Sequence, residues 1–199
     1  MTIKTFTLTL FLLATVLFAG GRFYSAPLSE MLIRHAWRET QQAQAGIRPW
    51  PWIGSYPVAE IDFPDSGHNM VIMSGSSPAV LAVAPLWNEG THRPGAPGIS
   101  LISGDYHTRF GFLKNIKPGD SFDLHTASGD EKHYVIENLQ VVEDAPMQIR
   151  GGDQESIIVL STAYPFKSGS PDNIYGKTMH LVAVAREVLP GPERFADLK

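Results

Sequence analysis

The chain has 199 residues, 43% of them hydrophobic and 18% charged, with 18 Gly and 15 Pro. A net charge of -4 supplies no basic stripe, which excludes the usual electrostatic footprint of a nucleic-acid binder. The absence of cysteine excludes a disulfide framework, thiolate metal ligands and a cysteine nucleophile.

This length suits one domain with an appendage, and the Gly and Pro content between short apolar runs favours strands and turns over long helices. Residues 1–23 carry Lys4 and then an apolar run from Thr5 to Gly21. Lys4 is a cytoplasmic flank that directs the rest of the chain outward. The run falls between a signal-peptide core and a full membrane span. No good small-residue cleavage site follows it: Phe18-Ala-Gly20 and Tyr24-Ser-Ala26 both fit badly. An uncleaved anchor is therefore expected, with the remainder outside the cytoplasm.

Residues 24–48 read as a linker helix. Pro27 suits its first position, Leu28, Met31, Leu32, His35 and Ala36 share one side, and Gly46 is the expected left-handed cap. Its last turns, Thr40 to Gln44, read as solvated. Pro49-Trp-Pro-Trp52 ends the helix, and the apolar period then changes to two. Strands are expected over Val58–Phe63, Asn69–Ser74, Ala79–Ala84, Ile99–Ser103, Ser121–Thr126, His133–Leu139, Ser156–Thr162 and Met179–Val188. Turn signals separate them, as at Pro64-Asp-Ser-Gly67 and Lys117-Pro-Gly-Asp120. These eight short strands fit an all-β closed or sandwiched domain over residues 49–188, with a surface tail over 189–199.

Four segments then carry a resemblance. Pro49-Trp-Pro-Trp-Ile-Gly-Ser-Tyr-Pro-Val-Ala59 leads into the first strand, and Pro94-Gly-Ala-Pro-Gly98 precedes a strand ending at Ser103-Gly104. Phe110-Gly-Phe-Leu113 precedes Ile116-Lys-Pro-Gly-Asp120, and Ile158-Val-Leu-Ser-Thr-Ala-Tyr-Pro-Phe166 follows. In that order they resemble the sortases, specifically the Gram-negative type. The resemblance implies an eight-stranded sortase-type β-barrel, preceded here by a membrane helix and a short linker helix. It also implies transpeptidation, in which a cysteine thiolate attacks a sorting-signal carbonyl, a histidine moves the proton and an arginine steadies the oxyanion.

The chain departs from that pattern at all three positions. The family cysteine aligns with Ala163, the histidine with Asp105 in Gly104-Asp-Tyr-His-Thr-Arg-Phe110, and the arginine with His180 in Met179-His-Leu-Val-Ala-Val184. One change from cysteine would suit an engineered trap; three incompatible changes point to natural degeneration. The reading is a catalytically inactive, inner-membrane, periplasmic binding or accessory module. Its partner by resemblance is a surface protein with a C-terminal sorting signal, or an active sortase.

The rival readings are a sortase whose nucleophile was replaced and a hydrolase using Thr162 or Ser161. His107 or His180 would serve that hydrolase as base, with Arg109 as a displaced cation. Asp105 and His180 also suit an ion pair, or a metal site with His107 as third ligand if residues 105–107 are extended, although the residues alone give Thr162 a structural role and assign no metal or cofactor. Trp50 and Trp52 are expected to seal the barrel end, and Phe110 and Phe112 to fill its core. Arg93 and Asp105 are candidate peptide contacts; His68, His92, His125 and His133 read as surface residues, and His35 as packed against the barrel or solvated.

Overall fold

Beyond the Pro-rich break the side chains alternate, and the chain runs as strands around one apolar interior. The computed structural model describes residues 26–143, 154–166, 173–174 and 177–189. The strands are β1 (Pro57–Phe63), β2 (His68–Ser74), β3 (Leu86–Trp87), β4 (Gly98–Ser103) and β5 (Ser121–Thr126). They continue with β6 (Glu131–Glu143), β7 (Ser156–Tyr164), β8 (Asn173–Ile174) and β9 (Lys177–Glu187). Hydrogen-bonded order is β6-β5-β1-β2-β3-β4-β7-β9, and β9 pairs back onto β6 to close an eight-stranded barrel. The two-residue β8 hangs from β9. Among the described residues closure leaves no long unpaired edge around the wall.

Inside lie Ile61, Phe110, Phe122, Leu124, Tyr134, Ile136, Ile158 and Leu160, all essentially inaccessible. Phe110 and Phe112 belong to this core, as expected from sequence. The apolar run in β7 has a further reason. Ile158 and Leu160 point into the barrel, whereas Ile157 and Val159 join Val182 and Val184 in a separate buried cluster. A strand buried on both faces reads as continuous rather than alternating hydrophobicity.

Helix α1 (Ala26–Ala43) lies against β1 and β2. Its buried side is Ser29, Ile33, Ala36, Trp37 and Thr40, whereas Leu28, Met31 and His35 face solvent. This corrects the apolar face expected from sequence. The barrel wall offers the helix polar partners that a hydrophobic period cannot register. Trp37 Nε1–H donates to Glu60 at 2.9 Å, and Arg34 donates to Glu60 at 3.3 Å and to Asn69 at 2.9 Å. Thr40, expected to be solvated, is buried, and its hydroxyl accepts from Ile47 N–H at 3.0 Å. Gln44, with φ of 51°, takes the left-handed position assigned to Gly46. Gly46 is instead covered by the Tyr56 ring, 2.5 Å from where a Cβ would stand.

Two further expectations are corrected. Residues 79–84 are not a strand: Pro78–Leu81 form the short helix α2, with proline in its first turn, and the third strand is Leu86–Trp87. The run Ala-Val-Leu-Ala suits either conformation, and Pro78 decides for the helix. Trp50 packs under α1 with Ile33 and Trp37, and Trp52 is exposed, so neither tryptophan plugs the barrel. Among the described residues no helix is long and apolar enough to cross a membrane. The apolar segment within 1–23 and the tail beyond 189 lie outside the described residues.

Tyr134 gives the core a titratable probe. Its ring stacks on Phe122 with centroids 5.3 Å apart, and its hydroxyl shares a 2.6 Å hydrogen bond with Ser156. Burial pushes its pKa from 10.0 to about 12. The neutral phenol is thus favoured by folding. Its contribution is complete below pH 10 and is lost as the pH rises to about 12, by about 2–3 kcal/mol. Urea denaturation of Tyr134→Phe should show a flatter loss of stability over that alkaline window than the parent chain.

Candidate functional site at the β4, β7 and β9 ends

β7 runs parallel to β4 and antiparallel to β9, and these two registers assemble the site. Ser103 pairs with Ser161, and Gly104 N–H donates to Ser161 O at 2.9 Å. Asp105 and Ala163 each lie two residues past that pair, so they leave the ladder at the same level. On the other side Ala163 is the direct cross-strand partner of His180, which puts both side chains on one face. A cleft of about 420 Å³ opens there. Asp105, His107, Ser161, Thr162, Ala163 and His180 line it, with Leu81 and Tyr106 on the rim.

The structure therefore brings the candidate residues together, but in arrangements the sequence does not reveal. Residues 105–109 form a turn rather than an extended stretch, so Asp105 and His107 do not share a strand face. Asp105 Oδ1 accepts the His107 N–H at 2.7 Å, and its carbonyl accepts the N–H groups of Arg109 and Phe110, both at 2.9 Å. This carboxylate holds its own loop. Among the described residues no ion pair joins Asp105 to His180, and no three His, Asp or Glu side chains gather as a metal site. The exposed His107 ring lies 3.8 Å from that of Tyr106, which meets Phe166 edge-on at 5.9 Å.

Arg109 is removed from the site altogether. Its Nε donates to Val83 O at 2.7 Å, and its guanidinium pairs with Glu30 on α1. Among the described residues no Lys or Arg lines the cleft to meet a developing oxyanion. Thr162 is 2% exposed, and its hydroxyl has no hydrogen-bond partner among the described residues, so no base touches it. Arg93 lies in a separate hollow beside Arg48 and Tyr56. His133 pairs with Asp123 at 2.8 Å, His35 with Glu39 at 3.6 Å, and His68 stacks on Phe112, all at the surface. Sequence reasoning missed Leu81 and the Glu30–Arg109 pair, because both join segments far apart in the chain.

A family model, the sortase domain, matches residues 61–187, well over half of the chain. The chain belongs to the sortase family. Among solved structures this sortase is similar to sortase A from Corynebacterium diphtheriae, with 20% identity and a TM-score of 0.58. That match covers 71% of this chain and 65% of the Corynebacterium one, so this sortase spans about two-thirds of that relative's length. It is also similar to sortase C-1 from Actinomyces oris, at 23% identity and a TM-score of 0.55 over 67% of this chain and 76% of the other. Sortase C from Clostridium perfringens aligns over 89% of this chain and 99% of its own, with 18% identity and a TM-score of 0.56. At these identities the likeness is one of fold. No curated protein matches this sortase.

Two measurements probe the geometry. Ala163 is half-buried at the cleft wall and Thr162 is buried, so a thiol at position 163 should react with a disulfide reagent in the native state, while Thr162→Cys stays protected until unfolding. Asp105→Ala should lower stability by about 1 kcal/mol in urea denaturation, and Asp105→Asn, which keeps the accepting oxygen, should lower it less.

Proposed function

We propose that this sortase-family chain is a transpeptidase fold without transpeptidase chemistry, serving as a membrane-anchored binding or accessory module. One observation carries the reading. Ala163 stands on β7 directly across from His180 and lines the cleft, where the family mechanism requires a thiolate. A methyl group has no lone pair with which to attack a carbonyl. The expected helpers are replaced as well, by Asp105 and His180, and the nearby Arg109 is committed to Glu30. Loss of a single oxyanion donor typically costs about 3–4 kcal/mol, and loss of the nucleophile removes the covalent route.

The same site is suited to holding a peptide. β7 continues through Thr162, Ala163 and Tyr164 after its last pairing with β4 at Ser161. Among the described residues those three pair with β9 on one side and with no strand on the other. Such an edge accepts an extended segment by main-chain hydrogen bonding. The partner in this reading is a surface protein with a C-terminal sorting signal, or an active sortase. The Gram-negative class, the periplasmic location and the anchor within residues 1–23 belong to the same proposal. They rest on the sequence motifs and on Lys4 followed by the apolar run.

The full-length chain should form no covalent adduct with sorting-signal peptides by intact-mass spectrometry, yet bind them reversibly. A chain carrying Asp105→His, Ala163→Cys and His180→Arg together should form a thioester. Acylation or peptide cleavage by the unmodified chain would refute the inactive reading and favour a hydrolase.

A further inference from the structure

A second cleft, sharing no residue with the first, opens beside the residues that lead into α2 and has a volume of about 440 Å³. It is lined by Trp52, Ser55, Ser74, Ser76, Ser77 and Glu89, with the Gly54 and Gly75 backbones between them. Three of the four tryptophans are buried, and Trp52 is 69% exposed at this rim. A large flat ring left in water beside a hollow of hydroxyl groups is not explained by packing.

The polar lining is made largely of serine hydroxyls. Ser55 is 6% exposed and lines the cleft. Its hydroxyl oxygen lies 3.4 Å from where a Cβ on Gly75 would stand, so the missing side chain leaves it open toward the cleft. Ser74, 1% exposed, accepts the Tyr56 N–H at 3.1 Å through its Oγ and retains its own proton for a ligand. Glu89 is exposed and pairs with no cation among the described residues.

We propose that this cleft is a saccharide subsite taking an uncharged or amino-hexose unit of a glycan. The Trp52 face covers the apolar C–H face of the pyranose ring, whose hydrogens meet the negative face of the indole. Ser55 and Ser74 donate to ring hydroxyl oxygens, Ser76 and Ser77 add adaptable hydroxyls, and Glu89 accepts from sugar O–H or N–H groups. Among the described residues no Lys or Arg lines the cleft, so a phosphorylated, sulfated or carboxylated ligand finds no countercharge there. An apolar ligand would make no use of the four serine hydroxyls and Glu89 in the lining. The saccharide answers both the aromatic platform and the hydroxyl floor.

The test is tryptophan fluorescence and acrylamide quenching of the full chain with cellohexaose, chitohexaose and maltohexaose, and with choline chloride as a cationic control. At least one hexasaccharide should shift emission to the blue and protect the exposed tryptophan, saturating at about 0.1–1 mM. Trp52→Ala should abolish the response and Trp52→Phe should keep part of it. Glu89→Gln should weaken binding about tenfold, with thermal unfolding unchanged. Three results would overturn the proposal: no saturable response below about 10 mM, a response that survives Trp52→Ala, or a response to choline alone, which would make this a cation site.

Discussion

The register of one central strand sets the positions on which the site depends. β7 is locked in parallel to β4 through six consecutive pairings and in antiparallel to β9 through eight. Because side chains alternate, a slip of β7 by one residue would turn Ala163 to the other face and break its pairing with His180. The slip is opposed on both faces. Ile158 and Leu160 are anchored in the barrel interior, and Ile157 and Val159 in the outer cluster with Val182 and Val184. Full burial of such side chains contributes about 1.5–3 kcal/mol each, so register is held by far more energy than any single polar contact at the site.

The loop carrying Asp105 depends on a different set of forces. Its turn is closed by its own carboxylate and carbonyl, and its floor is fixed by Gly104, where a Cβ would meet the Phe110 ring at 2.3 Å. Phe110 is fully buried and cannot give way. The far end of the loop is tied by Arg109 to Val83 and to Glu30. Asp105 therefore has a sufficient structural role, and its presence does not require acid–base chemistry.

Much of the barrel was legible because half-buried strands alternate and turns announce themselves with Gly, Pro and Asp. β5 is a clean instance: Phe122, Leu124 and Thr126 face inward and their neighbours do not. Residues 79–84 were not legible, since a short apolar run fits helix and strand alike and only the neighbouring proline distinguishes them. The orientation of α1 escaped because Glu60 and Asn69, its polar partners, sit on other strands. At the cleft, Asp105, Ala163 and His180 could be placed from motifs. The turn at 105–109 and the diversion of Arg109 could not, because both follow from contacts with distant segments.

The Glu30–Arg109 pair links two parts of the molecule that are otherwise separate. Glu30 lies in the second turn of α1, and Arg109 closes the loop beside the cleft. Glu30 also holds Arg34, which grips the barrel through Glu60 and Asn69. The start of α1 is thus tied through one carboxylate to both the barrel wall and the Asp105 lip.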